Sequence, residues 1–162
     1  MLPTILMLSI KQEYANMIFE GDKQVELRRV RPRHLENGDL ILVYVTSPEQ
    51  ALVGVLEVEK VIEMSLDELW KTVKDKAGIT HETFTKYYRN SATGFGIFLK
   101  NRFSFESPIK LEQLRKEWSN FRPPQCYYYL KAEEFNIIQS ISNSDILSFS
   151  AKSKVYQSEL TL

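Results

Sequence analysis

Apolar and polar residues along this chain follow two different periods, which together predict a protein of mixed helices and strands. Alternation or a continuous apolar run predicts strands at residues 4–10, 23–28, 39–47, 51–64, 94–100, 102–106 and 127–130. A helical period predicts helices at residues 12–20, 66–76, 81–89, 111–118 and 133–140. Strands dominate the first half and helices are inserted between later strands, so the pattern favours an α+β fold over alternating βαβ units.

Local residue types mark where several of these elements begin and end. Gly21 suits the left-handed position just after a helix. Ser65 with Glu68 three residues later is a capping-box pattern and predicts a helix start. Pro108 is expected to break the strand pattern that precedes it.

The chain length and the distribution of polar residues predict one domain with a C-terminal extension. The chain has 162 residues, enough for a single domain with a substantial core. We assign residues 1–141 to the domain. Residues 142–162 are rich in serine and carry only a weak period, so we predict a polar, poorly ordered tail that adds little to the core.

Composition limits the class of protein. The 21 basic and 21 acidic residues cancel, so an argument for a nucleic-acid ligand needs local clustering of charge. The single cysteine, Cys126, fits a reducing compartment, and no run of residues has the length and hydropathy of a membrane span. We therefore expect a cytoplasmic protein, and a monomer. His34 and His81 are isolated, so we expect no metal and no cofactor.

One short stretch, residues 21–33, concentrates charge that the whole chain does not have. Val25 and Leu27 alternate with charged residues there, which is the period of a half-buried strand. From Lys23 to Arg33 the cations outnumber the one acid, Glu26. A solvated edge strand protected by charge is one interpretation, and a site for an anionic ligand is the other.

The same stretch resembles a known family. Gly21, Lys23, Glu26 and Arg28 match the G-x-K-x-x-E-x-R signature of the ASCH domain, a branch of the PUA-like superfamily. The resemblance covers most of the chain up to about residue 130 and implies a mixed, barrel-like sheet with flanking helices. It also implies that Lys23, Glu26 and Arg28 surround one concave site, which we expect against the ends of the strands at 39–47 and 51–64.

Four charged residues of the stretch are candidates for ligand binding. Lys23 can hold a phosphate or act as a base or nucleophile, and we favour the first role because Glu26 stabilises the charged form. Glu26 can orient Lys23, act as a general base or pair with Arg28. Arg28 and Arg31 can donate paired hydrogen bonds to phosphate or carboxylate oxygens. Lys23 and Glu26 are the catalytic candidates if the protein is an enzyme.

Three further residues are candidates from their chemistry and from the resemblance. Ser47 follows a buried strand, and its hydroxyl can contact a ligand or serve the turn at Pro48. The amide of Gln125 can both donate to and accept from a base edge. Tyr128 can present its ring to a base, although strand alternation allows only Tyr127 and Tyr129 together, or Tyr128 alone, to face a cleft.

These observations leave three functions open. The first is a module that binds RNA, a nucleotide or a modified base through the basic cleft. The second, implied by a similar small bacterial ASCH protein, is a metal-independent amidohydrolase acting on N4-acetylcytidine. This chain has Glu26 where that branch uses a threonine, so the same hydroxyl chemistry is not available. The third is a regulatory domain that binds a small metabolite. We favour the first, without enzymatic activity.

Overall fold

The structure, a computed structural model, describes residues 2–160, with the side chains of all except residues 154–157. Its strands are β1 Ile5–Ile10, β2 Val25–Arg28, β3 Leu40–Val45, β4 Ala51–Ser65, β5 Thr93–Lys110 and β6 Tyr127–Tyr129. Its helices are α1 Gln12–Glu20, α2 Leu66–Val73, α3 His81–Tyr87, α4 Leu111–Glu117, α5 Ala132–Ser142, a 3-10 turn Ile146–Phe149 and α6 Ala151–Leu160.

The six strands form one sheet that curls into a half-barrel, with the order β2-β5-β4-β3-β1-β6. Strands β1 and β3 are parallel, and the other neighbouring pairs are antiparallel. Helices flank this sheet, so the predicted α+β fold with a barrel-like sheet is confirmed. None of the helices within residues 2–160 has both the length and the hydropathy needed to span a bilayer.

Strand β3 shows why the sequence reads as apolar on both faces. Leu40, Leu42 and Tyr44 pack into one buried cluster, whereas Ile41 and Val43 pack into a second cluster on the other face. Helix α1 contributes to the second cluster, and α4, α5 and the 3-10 turn contribute to the first. The centre of the sheet is therefore covered on both sides, which explains the continuous apolar run.

Strand β5 corrects one prediction. It runs without a break through Pro108, where the sequence predicts an end. Its pairing with β4 is irregular there: Gly54 lies opposite Ser104, whereas Leu52 lies opposite Ile109. The extra residues on β5 form a bulge, and a bulge tolerates a proline because it removes the need for a ladder hydrogen bond.

Helix α2 starts at the predicted place but without the predicted cap. The Ser65 side chain makes no capping hydrogen bond. Helix α3 does have a side-chain cap, because Thr80 accepts a bond from the Thr83 backbone N–H at 3.2 Å.

The segment after residue 142 differs from the predicted poorly ordered tail. It forms the 3-10 turn and α6, and Ile146 is fully buried in the first cluster. A group that we call the C-terminal cluster attaches it to the sheet: Asp39, Glu57, Ser150 and Lys152. The segment is attached by Ile146, by Leu147 and Phe149 packed against the same cluster, and by several polar contacts, and not by the continuous apolar stripe that sequence periodicity detects. Our separation of residues 1–141 from 142–162 stays a prediction. Val155 and Tyr156 are large apolar residues of this segment, and their side chains lie outside the described ones.

Candidate nucleotide-sized cleft

The turn after α1 positions the first charged residue of the site. Helix α1 ends at Gly21, whose φ of 93° is left-handed and favours glycine. The backbone N–H groups of Asp22 and Lys23 then donate to the Met17 carbonyl at 2.9 and 3.1 Å. This tight turn directs the Lys23 side chain into the protein, where the residue is only 3% exposed.

Lys23 is a buried amine with few partners. Its Nζ donates to the Ala77 carbonyl at 2.5 Å and lies 5.3 Å from the centre of the Tyr14 ring. Burial lowers the pKa of Lys23, the nearby Glu26 carboxylate raises it and the Arg28 guanidinium lowers it further. The net result is a pKa below that of an exposed lysine, so this amine loses its proton more easily than surface lysines do.

Glu26 and Arg28 lie on the same face of the edge strand β2 and form an ion pair. Arg28 Nε is 3.1 Å from Glu26 Oε1, although its N–H is not aligned for a hydrogen bond. Arg28 Nη2 donates to the Ser9 carbonyl at 2.9 Å. Since Ser9 belongs to β1 and β2 is the outermost strand on the far side of the sheet, Arg28 bridges the open side of the half-barrel.

These side chains line a cleft with a volume of about 430 Å³. Its walls come from the end of β1, the start of α1, β2, the connection before α3 and α3 itself; the lining residues are Ser9, Ile10, Lys11, Tyr14, Lys23, Glu26, Leu27, Arg28, Ile79, Thr83, Lys86 and Tyr87. The predicted concave placement of Lys23, Glu26 and Arg28 is therefore observed. The expected position against the ends of β3 and β4 is wrong, because β1 and α3 form those walls.

The cleft carries four cationic side chains, Lys11, Lys23, Arg28 and Lys86, and a single carboxylate, Glu26. The other polar residues of its lining carry hydroxyls, and two of them are tyrosines. Burial raises the pKa of both Tyr14 and Tyr87, so both rings stay neutral well into the alkaline range.

The model of the ASCH domain family matches residues 8–139 of this chain. The chain belongs to the ASCH domain family. The match includes the turn after α1, strand β2 and helix α3, and it contains every lining residue of the cleft.

Known proteins similar to this ASCH domain match over most of its length. An ASCH domain-containing ribonuclease from Zymomonas mobilis is 26% identical over 136 residues, which is 84% of this chain and 90% of that protein. The crystal structure of ASCH from Zymomonas mobilis, also 26% identical, has a TM-score of 0.79 and covers 85% of this chain and 94% of that one. Human THYN1, solved in complex with DNA containing 5-methylcytosine, has a TM-score of 0.56 at 10% identity, covering 88% of this chain and 99% of its own. That last likeness concerns the fold.

The ASCH cleft leaves out four of the residues that the sequence suggested. Arg31 lies outside its lining and is half-exposed, 3.5 Å from Glu63 Oε2. Ser47 and Gln125 are exposed and also lie outside the lining. The Tyr128 hydroxyl donates to the Glu134 carboxylate at 2.7 Å. The Tyr128 side chain lies on the opposite face of β6 from its two tyrosine neighbours, which pack against the second cluster.

Sequence reasoning missed the α3 wall of the cleft. Thr83, Lys86 and Tyr87 are spaced three and four residues apart, so they share one face of α3. Their spacing alone identifies the shared face, but it does not show that α3 folds against β2. Lys11 and Tyr14 at the start of α1 were missed for the same reason.

Proposed function

We propose that this ASCH domain binds nucleic acid, with one nucleotide held in the cleft, and that RNA is the preferred polymer. The observation that carries the proposal is the charge of the cleft: four cations face one carboxylate, in a chain whose overall charge is zero. An anionic ligand is attracted to such a cleft by its phosphates. The volume of about 430 Å³ suits a nucleotide-sized ligand.

The cleft residues divide naturally between the parts of a nucleotide. Arg28 is fixed by Ser9 and Glu26, so its remaining N–H groups can donate to phosphate oxygens. Tyr87 offers a neutral aromatic wall on which a base can stack. The Glu26 carboxylate can accept a hydrogen bond from an amino group of the base. Ser47, Gln125 and Tyr128 stay predictions, without a role in this cleft.

The relatives support the polymer class. The Zymomonas mobilis relative is named a ribonuclease, and human THYN1 was solved with DNA. The first of these matches almost the whole domain at 26% identity, whereas the second supports only a shared fold. RNA is therefore the first polymer to test.

Fluorescence anisotropy with labelled single-stranded RNA and DNA tests the proposal. We expect Arg28→Ala to weaken binding by about tenfold or more, since a hydrogen bond to a charged group contributes about 1.5–3 kcal/mol. Arg28→Lys should restore the charge but not the paired geometry, and so recover only part of the affinity. Lys71→Ala, which removes an exposed cation outside the cleft, serves as the control. Equal binding by all four proteins would exclude the cleft.

Cleavage of RNA is a second candidate, favoured by the name of the relative and by the lowered pKa of Lys23. In such a reaction the ribose 2′-oxygen forms a bond to phosphorus while the bond from phosphorus to the 5′-oxygen breaks. The 2′-hydroxyl proton passes to a base, and the leaving 5′-oxygen takes a proton from water. A neutral Lys23 amine can take the first proton, and Arg28 can stabilise the charge on the phosphate. We expect labelled RNA to be cut by the wild type and not by Lys23→Ala. Intact RNA with both proteins would leave binding as the function.

Amide hydrolysis has less support. Glu26 has no hydroxyl and cannot replace the threonine nucleophile. We predict that the protein releases no acetate from N4-acetylcytidine. Turnover that is lost in both Lys23→Ala and Glu26→Gln would show that Glu26 activates a water molecule instead.

A further inference from the structure

A loop of alternating arginines follows β2 directly. Arg29, Arg31 and Arg33 are all exposed in the connection between β2 and β3. We call residues 29–33 the arginine loop. Its single described acidic ion-pair partner is Glu63, which lies 3.5 Å from Arg31 with both side chains nearly half-exposed. An exposed pair of this kind contributes little, so it neutralises little of the charge of the loop.

Two tyrosine hydroxyls hold the backbone of the arginine loop, one just before its first residue and one near its middle. The Tyr88 hydroxyl donates to the Arg28 carbonyl at 3.1 Å, and the Tyr127 hydroxyl donates to the Arg31 carbonyl at 3.3 Å. Pro32 is buried between two exposed arginines. The chain is therefore anchored through its backbone and its proline, while the arginine side chains remain at the surface.

The loop is continuous with the cleft. The Arg29 guanidinium lies 4.9 Å above the centre of the Tyr87 ring, and Tyr87 is part of the cleft wall. Arg28, which immediately precedes the loop, lines the same cleft. Neighbouring arginines of the loop are two residues apart, so their Cα atoms are separated by at most about 7 Å. Successive phosphates of an extended strand have a similar separation.

We propose that the arginine loop binds the phosphates that flank the nucleotide in the cleft, so that the ligand is a single strand of several nucleotides. This inference rests on the proposed nucleotide cleft. A single strand can insert one base into a cleft without the free energy of unpairing that a duplex requires. Val30, which is 57% exposed between Arg29 and Arg31, adds an apolar contact for a sugar or base.

Salt-dependent binding of oligouridylates separates the loop from the cleft. The probes are labelled chains of three and six uridylates, with uridine monophosphate as the one-nucleotide competitor. The variant carries Arg29→Ala, Arg31→Ala and Arg33→Ala together. Its matched control removes three exposed lysines elsewhere, Lys71, Lys74 and Lys116. A second variant with lysine at all three loop positions keeps the charge and tests for damage to the fold.

For the six-nucleotide probe, the slope of log K against log salt is negative. We expect the alanine variant to reduce its magnitude by about 2, or about 0.7 for each lost phosphate contact. Binding of uridine monophosphate should fall much less than binding of the six-nucleotide probe, and any fall should come from the loss of Arg29 beside Tyr87. The lysine variant and the control should keep the slope of the wild type. An unchanged slope in the alanine variant would overturn the inference. So would tighter binding of a duplex than of the single strand, or polyglutamate that competes with the probe as strongly as unlabelled oligouridylate does.

The outcome of Arg28→Ala distinguishes this inference from the proposed function. If both hold, Arg28→Ala weakens binding of one and of six nucleotides, whereas the loop variant mainly weakens binding of the longer probe. If the loop variant weakens the longer probe and Arg28→Ala has no effect on either, the loop assignment stands and the cleft assignment fails. Failure of every probe to bind the wild type would overturn both.

Discussion

Among the residues that the structure describes, two groups of charged side chains are buried, and they differ in how completely their charges are matched. In the C-terminal cluster, Asp39 is fully buried and accepts bonds from the backbone N–H groups of Thr4 and Glu36 at 2.8 and 2.9 Å and from Lys152 Nζ at 2.8 Å. Each of these donors lies on a different segment of the chain. The carboxylate therefore ties the ends of the domain together.

The second carboxylate of that cluster is satisfied in the same way. Glu57 is 2% exposed and accepts from Asn101 Nδ2 and from the Ala151 backbone N–H, both at 2.7 Å. Its contact with Ala151 places a negative charge at the start of α6, which stabilises the helix. Lys100 Nζ lies 3.5 Å away.

The group of Lys23, Glu26 and Arg28, which we call the signature cluster, is incompletely matched. Its two cations face one acid, Arg28 Nε has no aligned acceptor, and a cleft opens beside it. Burial of charge is thus common to both clusters and does not itself identify a binding site. The excess of donors around a cavity distinguishes the signature cluster.

The largest effect that we expect comes from removing the first carboxylate of the C-terminal cluster. Asp39→Ala leaves the backbone N–H groups of Thr4 and Glu36 without their acceptor and leaves Lys152 with Glu36 Oε1 as its remaining carboxylate partner, so the free energy of unfolding should fall by about 4 kcal/mol. Denaturant unfolding measures this change. Asp75→Ala, at an exposed carboxylate, should shift the midpoint little. Nucleic-acid binding by the folded Asp39→Ala protein should equal that of the wild type, and weakened binding would show that the two clusters are coupled.

The next effect tests whether the C-terminal segment belongs to the core. Ile146→Ala creates a cavity in the first apolar cluster and should cost about 3 kcal/mol of stability. Leu160→Ala, at a residue that is 70% exposed, should stay within about 0.5 kcal/mol of the wild type. Similar unfolding midpoints for the two variants would show that residues 142–162 are a tail that adds little to the core.

Local patterns predicted much of the fold, because the strands that they identify are buried in a regular way. Strand β3 is apolar on both faces, as its continuous apolar run predicts. Gly21 follows α1 with the left-handed φ that a glycine at this position predicts. The errors arose where contacts between residues distant in sequence determine the local structure. Pro108 is accommodated by a bulge that depends on β4, and Ile146 is held by a core cluster distant in sequence.

Only the part of the candidate site that comes from residues close in sequence could be predicted. Lys23, Glu26 and Arg28 are close in sequence and on one short strand, so their proximity follows from local geometry. Lys86 and Tyr87 reach the same cleft only because α3 packs against β2. Arg31 is near in sequence but lies outside the cleft, since the chain leaves β2 at Arg28.

A smaller effect on ligand binding concerns the aromatic wall. If a base stacks on Tyr87, alanine there should weaken binding of single-stranded RNA by about 2 kcal/mol, and phenylalanine should keep most of the affinity. Tyr128→Ala removes an exposed ring outside the cleft and tests the sequence-based prediction for that residue. Fluorescence anisotropy measures all three variants. A loss with Tyr128→Ala alone would place the base on β6 and not in the cleft.

The smallest effect that we expect is a dependence of binding on pH, and it tests what Lys23 does. Only the protonated amine attracts phosphate. Because burial lowers the pKa of Lys23, the amine loses its charge at a lower pH than an exposed lysine would. Affinity should therefore fall as the pH rises from neutral through that lowered pKa, by about tenfold, which corresponds to about 1.4 kcal/mol.

The comparison with Lys23→Arg isolates this contribution. Arginine keeps its charge over the whole range, so its binding should stay level where that of the wild type declines. The raised pKa values of Tyr14 and Tyr87 keep both phenols neutral in this range. Oligoadenylate is the suitable probe, since adenine does not lose a proton there. Parallel pH profiles for the two proteins would show that the Lys23 amine does not hold the anion, and that its buried position serves the turn between α1 and β2 instead.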